Sequence, residues 1–218
     1  MDPTSWMTFP ALADYSHRFI LRHPELDMQV DRVEALARLA PWHAGHVNEL
    51  GFAVPQLRTA EQVHGDLVTV VDAASPALAI GADGLITCDP SVLLGIYVAD
   101  CGAVFLADRR SGAVGLVHSG KKGTELGITA LAIQAMGQAF GTEPADILVQ
   151  LSPCIRPPAY EVDFAAGIRQ QCLDAGITEA NFHDCGHCTS LDLQRYYSYR
   201  IEKGRTGRLL ALISSLPG

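Results

Sequence analysis

Apolar residues in this chain fall into short blocks separated by Gly, Asp and Pro, and the blocks follow two periods. RFILR (18–22), LRTAEQVH (57–64), LVTVV (67–71), GLIT (84–87), VLLGIYVA (92–99), AVFLA (103–107), AVGLVH (113–118), ILVQL (147–151) and LLALIS (209–214) are rich in Val, Ile and Leu and predict strands. DRRSG (108–112) joins two of them as an antiparallel hairpin. Helical spacing appears three times. Val30, Val33, Leu36, Ala37 and Ala40 predict a helix over 28–40 that Pro41 stops. Leu126, Ala130, Leu131, Ile133 and Phe140 predict another over 124–140, closed by Gly141. Phe164, Ile168 and Cys172 predict a third over 164–173, ending at Gly176. Residues 41–55 read as a loop and residues 1–15, which have no usable period, as a loosely docked arm. The predicted fold class is α/β (α+β-like): a single layered domain over 1–218, with a mixed, partly antiparallel sheet flanked by helices.

Composition narrows the function. With 218 residues and 48% hydrophobic content, the chain can bury a full core without disulfides. The six cysteines are too scattered for a disulfide scaffold and are expected as free thiols in a reducing cytoplasm. A formal charge of −8 and no long basic run exclude a general nucleic-acid binder. No secretory pattern and no stretch of 18 apolar residues appear, so a cytoplasmic protein acting on a small molecule is expected, as a monomer or homodimer.

Three predicted strands finish on metal-seeking donors: QVH on His64, YVADC on Cys101 and GLVH on His118. Two imidazoles and a thiolate suit zinc and leave a fourth position open, as catalytic sites require. Spacing alone leaves two other readings: unrelated strand ends with Cys101 as a small buried hydrophobe, or Cys101 as a nucleophile with His118 or His64 as its base.

The segments EQVHGDLVTVVD, GADGLIT, YVADCGAVFLADRRSGAVGLVHSG, SPCIRPPAYEV, CT at 188–189 and YYSYR followed by TGRLLALI resemble the laccase-domain (polyphenol oxidase-like) family, in order from about Phe19 to Ile213. The resemblance implies purine nucleoside phosphorylase activity with adenosine deaminase side activity, and zinc on His64, Cys101 and His118. Departures stand beside the matches. Where that family has H-A-G-W-R-G this chain has HSGKKG, so Lys121 replaces Trp and Lys122 replaces Arg, exchanging a planar fork for a mobile point charge at an anion contact. Its R-x-G-G is reduced to Arg22-His23-Pro24, and its G-P-x-I-G-P-C-C-Y-E-V has become LSPCIRPPAYEV.

Other residues complete the expectations. Asp100 and Asp83 are candidates for proton transfer or for orienting a histidine N–H, Asp83 also reading as a turn residue. Lys122, Arg22, Tyr160 and Arg200 are candidate substrate contacts, with phosphate at Lys122. Cys185-Gly186-His187-Cys188 spells a redox motif, but only thirty residues follow it, too few for a thioredoxin fold. Eight histidines without a His-x-His pair do not build a multicopper cluster, although a Cys/His2 site of this kind also takes copper on loading in vitro. The leading expectation is a zinc enzyme acting on purine nucleosides. The alternatives are a metal-free hydrolase on Cys101 and an inactive nucleoside-binding protein.

Overall fold

The computed structural model describes residues 5–216. In chain order its strands and α-helices are β1 (Trp6–Met7), β2 (His17–Ile20), α1 (Arg32–Glu49), β3 (Leu57–Ala60), β4 (Val68–Val70), β5 (Leu78–Ala79), β6 (Gly84–Thr87), β7 (Leu93–Val98), β8 (Gly102–Asp108), β9 (Val114–Ser119), α2 (Lys121–Glu125), α3 (Ile128–Phe140), β10 (Ile147–Leu151), α4 (Phe164–Asp174), β11 (Phe182–Asp184) and β12 (Leu209–Ser214). The strands form two mixed sheets rather than one, in the orders β1-β2-β12-β7-β3-β5 and β11-β10-β8-β9-β6-β4. β8 and β9 pair antiparallel from Gly102↔Ser119 to Ala107↔Val114, as the hairpin predicts.

Alternation along the strands explains the layering. Ala103, Phe105 and Ala107 of β8 face the same core as Ala211 and Ile213 of β12, so the sheets pack face to face. Val104 and Leu106 point the other way, against Ile133 of α3 and Ile168 of α4. Leu210 and Leu212 turn outward from the first sheet to meet Val47 of α1. The order is helix, sheet, sheet, helices. Strands covered on both faces carry continuous apolar runs, which is why β7, β8 and β12 do not alternate in sequence. Truncating a central side chain such as Phe105 to Ala would cost about 3–5 kcal/mol.

Several elements differ from expectation, each for a physical reason. Helix α1 does not stop at Pro41 but runs to Glu49: Pro41 lies on the exposed side, and the roughly 3 kcal/mol that an interior proline costs is offset by the burial of His43, His46 and Val47 beyond it. Its buried side is Ala35, Leu39, His43, His46 and Val47, while Val33 is 80% exposed. Two buried histidines shifted the true stripe away from the apolar one. The predicted 124–140 helix is broken at Gly127, where φ is +81°, and Leu126 and Leu131 are exposed while Ile128, Ala132 and Met136 are buried. Gly141 does close α3, in the left-handed conformation.

The N-terminal arm is docked: β1 pairs with β2, and Phe9, Leu12 and Tyr15 enter the main core. Residues 1–4 of that predicted arm lie outside the described residues. Among the described residues, no helix is long and apolar enough to cross a membrane.

Candidate metal centre

His64, Cys101 and His118 converge: their ligand atoms lie within 4.8 Å of one another. Only His118 does so from a strand. β3 ends at Ala60, leaving His64 in the following turn at φ +61°, and Cys101 occupies the crossing from β7 in one sheet to β8 in the other. The donors therefore gather where the chain passes between the sheets. The His64 and His118 rings meet edge to face, with centroids 4.9 Å apart.

Asp83 assembles this cluster. It is fully buried immediately before β6, and its Oδ1 accepts hydrogen bonds from His118 Nδ1 at 2.8 Å and from the His64 backbone N–H at 3.0 Å. Its Oδ2 accepts from the N–H groups of Val63 (3.0 Å) and Gly65 (2.7 Å). One carboxylate thus folds the turn that carries one histidine and orients the ring of another. Burial raises the Asp83 carboxyl, but these hydrogen bonds outweigh it and hold the group below its ordinary range. With Nδ1 bonded to Asp83, the His118 Nε2 is left as the donor atom toward the cluster.

The thiol and imidazoles polarise each other. Burial pushes Cys101 up, but His118 and His64 outweigh it and bring it down to about 6. Burial pushes His118 down, but Asp83 and Cys101 lift it to about 9. Gly120 makes room for the sulfur: a Cβ there would lie 2.4 Å from Cys101 Sγ. Nitrogen and thiolate donors at this mutual distance, with one ring fixed by a carboxylate, fit a tetrahedral metal ion.

The cluster opens into a cavity of about 1160 Å³. Lys121, Lys122, Tyr160 and Arg200 line it, as the sequence anticipates. Arg200 also pairs with Glu161 and lies 5.1 Å over the Tyr160 ring, so both residues share one wall. Asp100 reaches the lining with its carboxylate already engaged: it accepts from Thr189 Oγ1 (2.7 Å), Ser198 Oγ (3.1 Å) and the Arg200 N–H (2.7 Å), pinning the 189–200 segment. Arg22 is not brought to the cavity; it pairs with Glu202 at 3.0 Å beneath the Tyr197 ring. Cys185 and Cys188 flank a loop after the edge strand β11, where Cys188 Sγ lies 3.0 Å from Ser190 Oγ.

Sequence reasoning did not assign Gln62, Tyr97, Arg32, Lys203, Arg205 or Arg208 to the lining. Gln62 grips the Tyr97 backbone with both ends of its amide, at 2.6 and 3.0 Å. Among the described residues, the four non-glycine residues with positive φ are Gln62, His64, Asp100 and Lys203, and all four line this cavity. Such conformations cost about 1–3 kcal/mol each, and their concentration here marks a site built at the expense of stability.

Comparison with known proteins finds similar sequences and a similar fold. The family model described as multi-copper polyphenol oxidoreductase laccase matches residues 31–166 and 162–215. The chain is 30% identical to purine nucleoside phosphorylase YlmD of Geobacillus stearothermophilus, over 86% of this chain and 80% of that protein. It is 35% identical to a purine nucleoside phosphorylase of Deinococcus radiodurans, over 75% and 72%. The crystal structure of YlmD from Geobacillus stearothermophilus superposes with a TM-score of 0.86 at 25% identity, covering 100% of this chain and 98% of that one.

Proposed function

Because this chain belongs to the multi-copper polyphenol oxidoreductase laccase family, we propose that it is a zinc-dependent enzyme acting on purine nucleosides. Its reaction would be cleavage of the N-glycosidic bond by phosphate, removal of the adenosine amino group by water, or both. The names of the relatives support the substrate class. The observation that carries the reading is the His64–Cys101–His118 cluster opening into a cavity of about 1160 Å³.

These three side chains would hold the zinc, which when bound supplies Lewis acidity. Asp83 keeps the His118 ring in one orientation and tautomer. Gly120 leaves space for the Cys101 sulfur. Lys121 and Lys122 bring mobile positive charge for an anion, and Tyr160 offers an aromatic face for a base, with Arg200 beside it. Asp100 acts by holding the Ser198 hydroxyl and the Arg200 backbone N–H in place.

Elemental analysis of protein purified without added metal, with Cys101→Ala alongside, tests the reading. About one zinc per chain, lost in the variant, together with release of free base or inosine from adenosine, is the expected result. Absence of zinc from the wild type would remove it.

A second reading rests on the same geometry. Asp83, His118 and Cys101 also form a carboxylate–imidazole–thiol array, the arrangement of a cysteine hydrolase, with Cys101 as nucleophile and His118 as base. Zinc occupancy and thiol reactivity separate the two.

A further inference from the structure

The chain is acidic, yet its cavity is basic. Seven Lys and Arg side chains line it against three carboxylates, although the whole sequence carries a net charge of −8. Two of those carboxylates are occupied: Asp31 caps α1 by accepting from the Glu34 N–H, and Asp100 holds the 189–200 segment. Glu125 stands one helical turn from Lys121 on α2.

The cations divide by origin. Lys121 and Lys122 follow β9 of the second sheet, whereas Arg32 opens α1 and Lys203, Arg205 and Arg208 lead into β12 of the first. Arg200 is neutralised by Glu161. Among the described residues, no carboxylate pairs with Arg32, Arg205 or Arg208; their guanidiniums donate only to main-chain carbonyls. Arg32 reaches Glu61 O at 3.0 Å, Arg205 reaches Gln29 O at 2.9 and 3.1 Å, and Arg208 Nη1 reaches Thr206 O and Gly207 O at 2.8 and 2.9 Å. A guanidinium has five N–H donors, so most of this set is unspent.

Arg208 is half-buried and held below its ordinary range first by that burial and then by the nearby charge of Arg32. Like charges gathered on the lining of one cavity are unfavourable by themselves, and a dianion among them would relieve the repulsion. Phosphorolysis needs one phosphate, for which Lys121 and Lys122 are already placed. The second group calls for another anion.

We propose that Arg32, Arg205 and Arg208 form a second anion subsite, which receives a phosphate carried by the substrate itself, so that the preferred ligand is a purine nucleoside 5′-monophosphate. This rests on the purine nucleoside reading above and narrows it. Planar guanidiniums suit a phosphomonoester, which they can bind in bidentate fashion.

Isothermal titration of the full chain with adenosine, AMP and inorganic phosphate, repeated on the Arg32→Gln/Arg205→Gln double variant and on Lys122→Gln, tests it. AMP should bind the wild type about tenfold or more tightly than adenosine, and the ratio should fall to about twofold in the double variant. Thermal melts check that both variants fold; Arg32 is only half-buried and Arg205 is exposed. Adenosine binding with no preference for AMP would overturn this inference and leave the nucleoside reading standing. So would a preference that survives the double variant, one that collapses in Lys122→Gln instead, or inorganic phosphate binding as tightly as AMP at the arginines. If neither adenosine nor AMP binds, the nucleoside reading falls and takes the subsite with it.

Discussion

Asp83 Oδ1 lies 2.8 Å from His118 Nδ1 and also accepts the His64 N–H, so one buried carboxylate governs two of the three donors. Asp83→Asn keeps the shape but loses the charge, and one side of the amide must present N–H groups to backbone N–H donors. Zinc affinity should fall about 10–100-fold, the range seen when a ligand's orienting partner is lost. Competition against a chromophoric chelator would measure this. Unchanged affinity in a folded variant would show that Asp83 serves only the turn.

Gly120 sits against the thiol. Gly120→Ala would place a methyl 2.4 Å from Cys101 Sγ, well inside contact distance, so either the sulfur or the backbone must move. Zinc content should drop below half of the wild-type value while the melting temperature changes little, because the strain falls on the cluster rather than on the core. A variant with full zinc content would mean that the crossing between β7 and β8 relaxes easily.

Legibility in the sequence followed what each residue's neighbours reveal locally. The hairpin of β8 and β9, the strand β12 and the stop at Gly141 depend on local pattern, and the structure has them where the sequence predicts. Helix α1 was misread because His43 and His46 occupy buried positions that a polar residue normally avoids, and because Pro41 faces solvent. The division into two sheets depends on long-range pairing, which no local period encodes. At the site, the donors were legible from their types and from the family resemblance, but not as strand ends: His64 lies in a turn bent by Asp83. Arg32, Arg205 and Arg208 were missed because they reach one cavity from opposite ends of the chain.

Cys101 offers a direct chemical readout. Its thiol is brought down to about 6 by the two histidines, against an ordinary value of 9.0, while burial pushes Cys172 up to about 12 and Cys154 higher still. In chelator-treated protein at pH 7, iodoacetamide should modify Cys101 well before Cys154 or Cys172. Added zinc should slow labelling of Cys101 at least tenfold. Fast labelling that zinc does not slow would favour the cysteine hydrolase reading.

The lysine pair is a graded test of anion handling. Lys121 and Lys122 both line the cavity, and each presents a point charge rather than a fork. Lys122→Arg, alone or with Lys121→Trp, should lower the KM for phosphate several-fold with kcat little changed, because the change acts on binding of the co-substrate. Steady-state phosphorolysis at varied phosphate would show it. A rate independent of phosphate in every variant would instead assign turnover to water.

His43 sets an acid limit on the fold. It is 3% exposed on the inner side of α1, and burial, reinforced by the charge of His46, depresses it from 6.5 to about 3. Because the folded state resists the proton, the unfolded chain binds it first. The stability that depends on neutral His43 is therefore complete above about pH 6.5 and is lost progressively as the pH falls toward 3. The slope for this one group approaches about 1.4 kcal/mol per pH unit. His46, brought down to about 4 by burial and by Arg18, adds in the same direction. Urea unfolding of chelator-treated protein at pH 7.5, 6.0 and 5.0 would follow the loss without interference from bound metal. His43→Leu removes the titrating group while keeping an apolar side chain at that position, so its stability should fall less steeply over this range. Parallel slopes for variant and wild type would assign the acid sensitivity to other groups, with His46 and His17, both held below the ordinary imidazole range by burial, first among them.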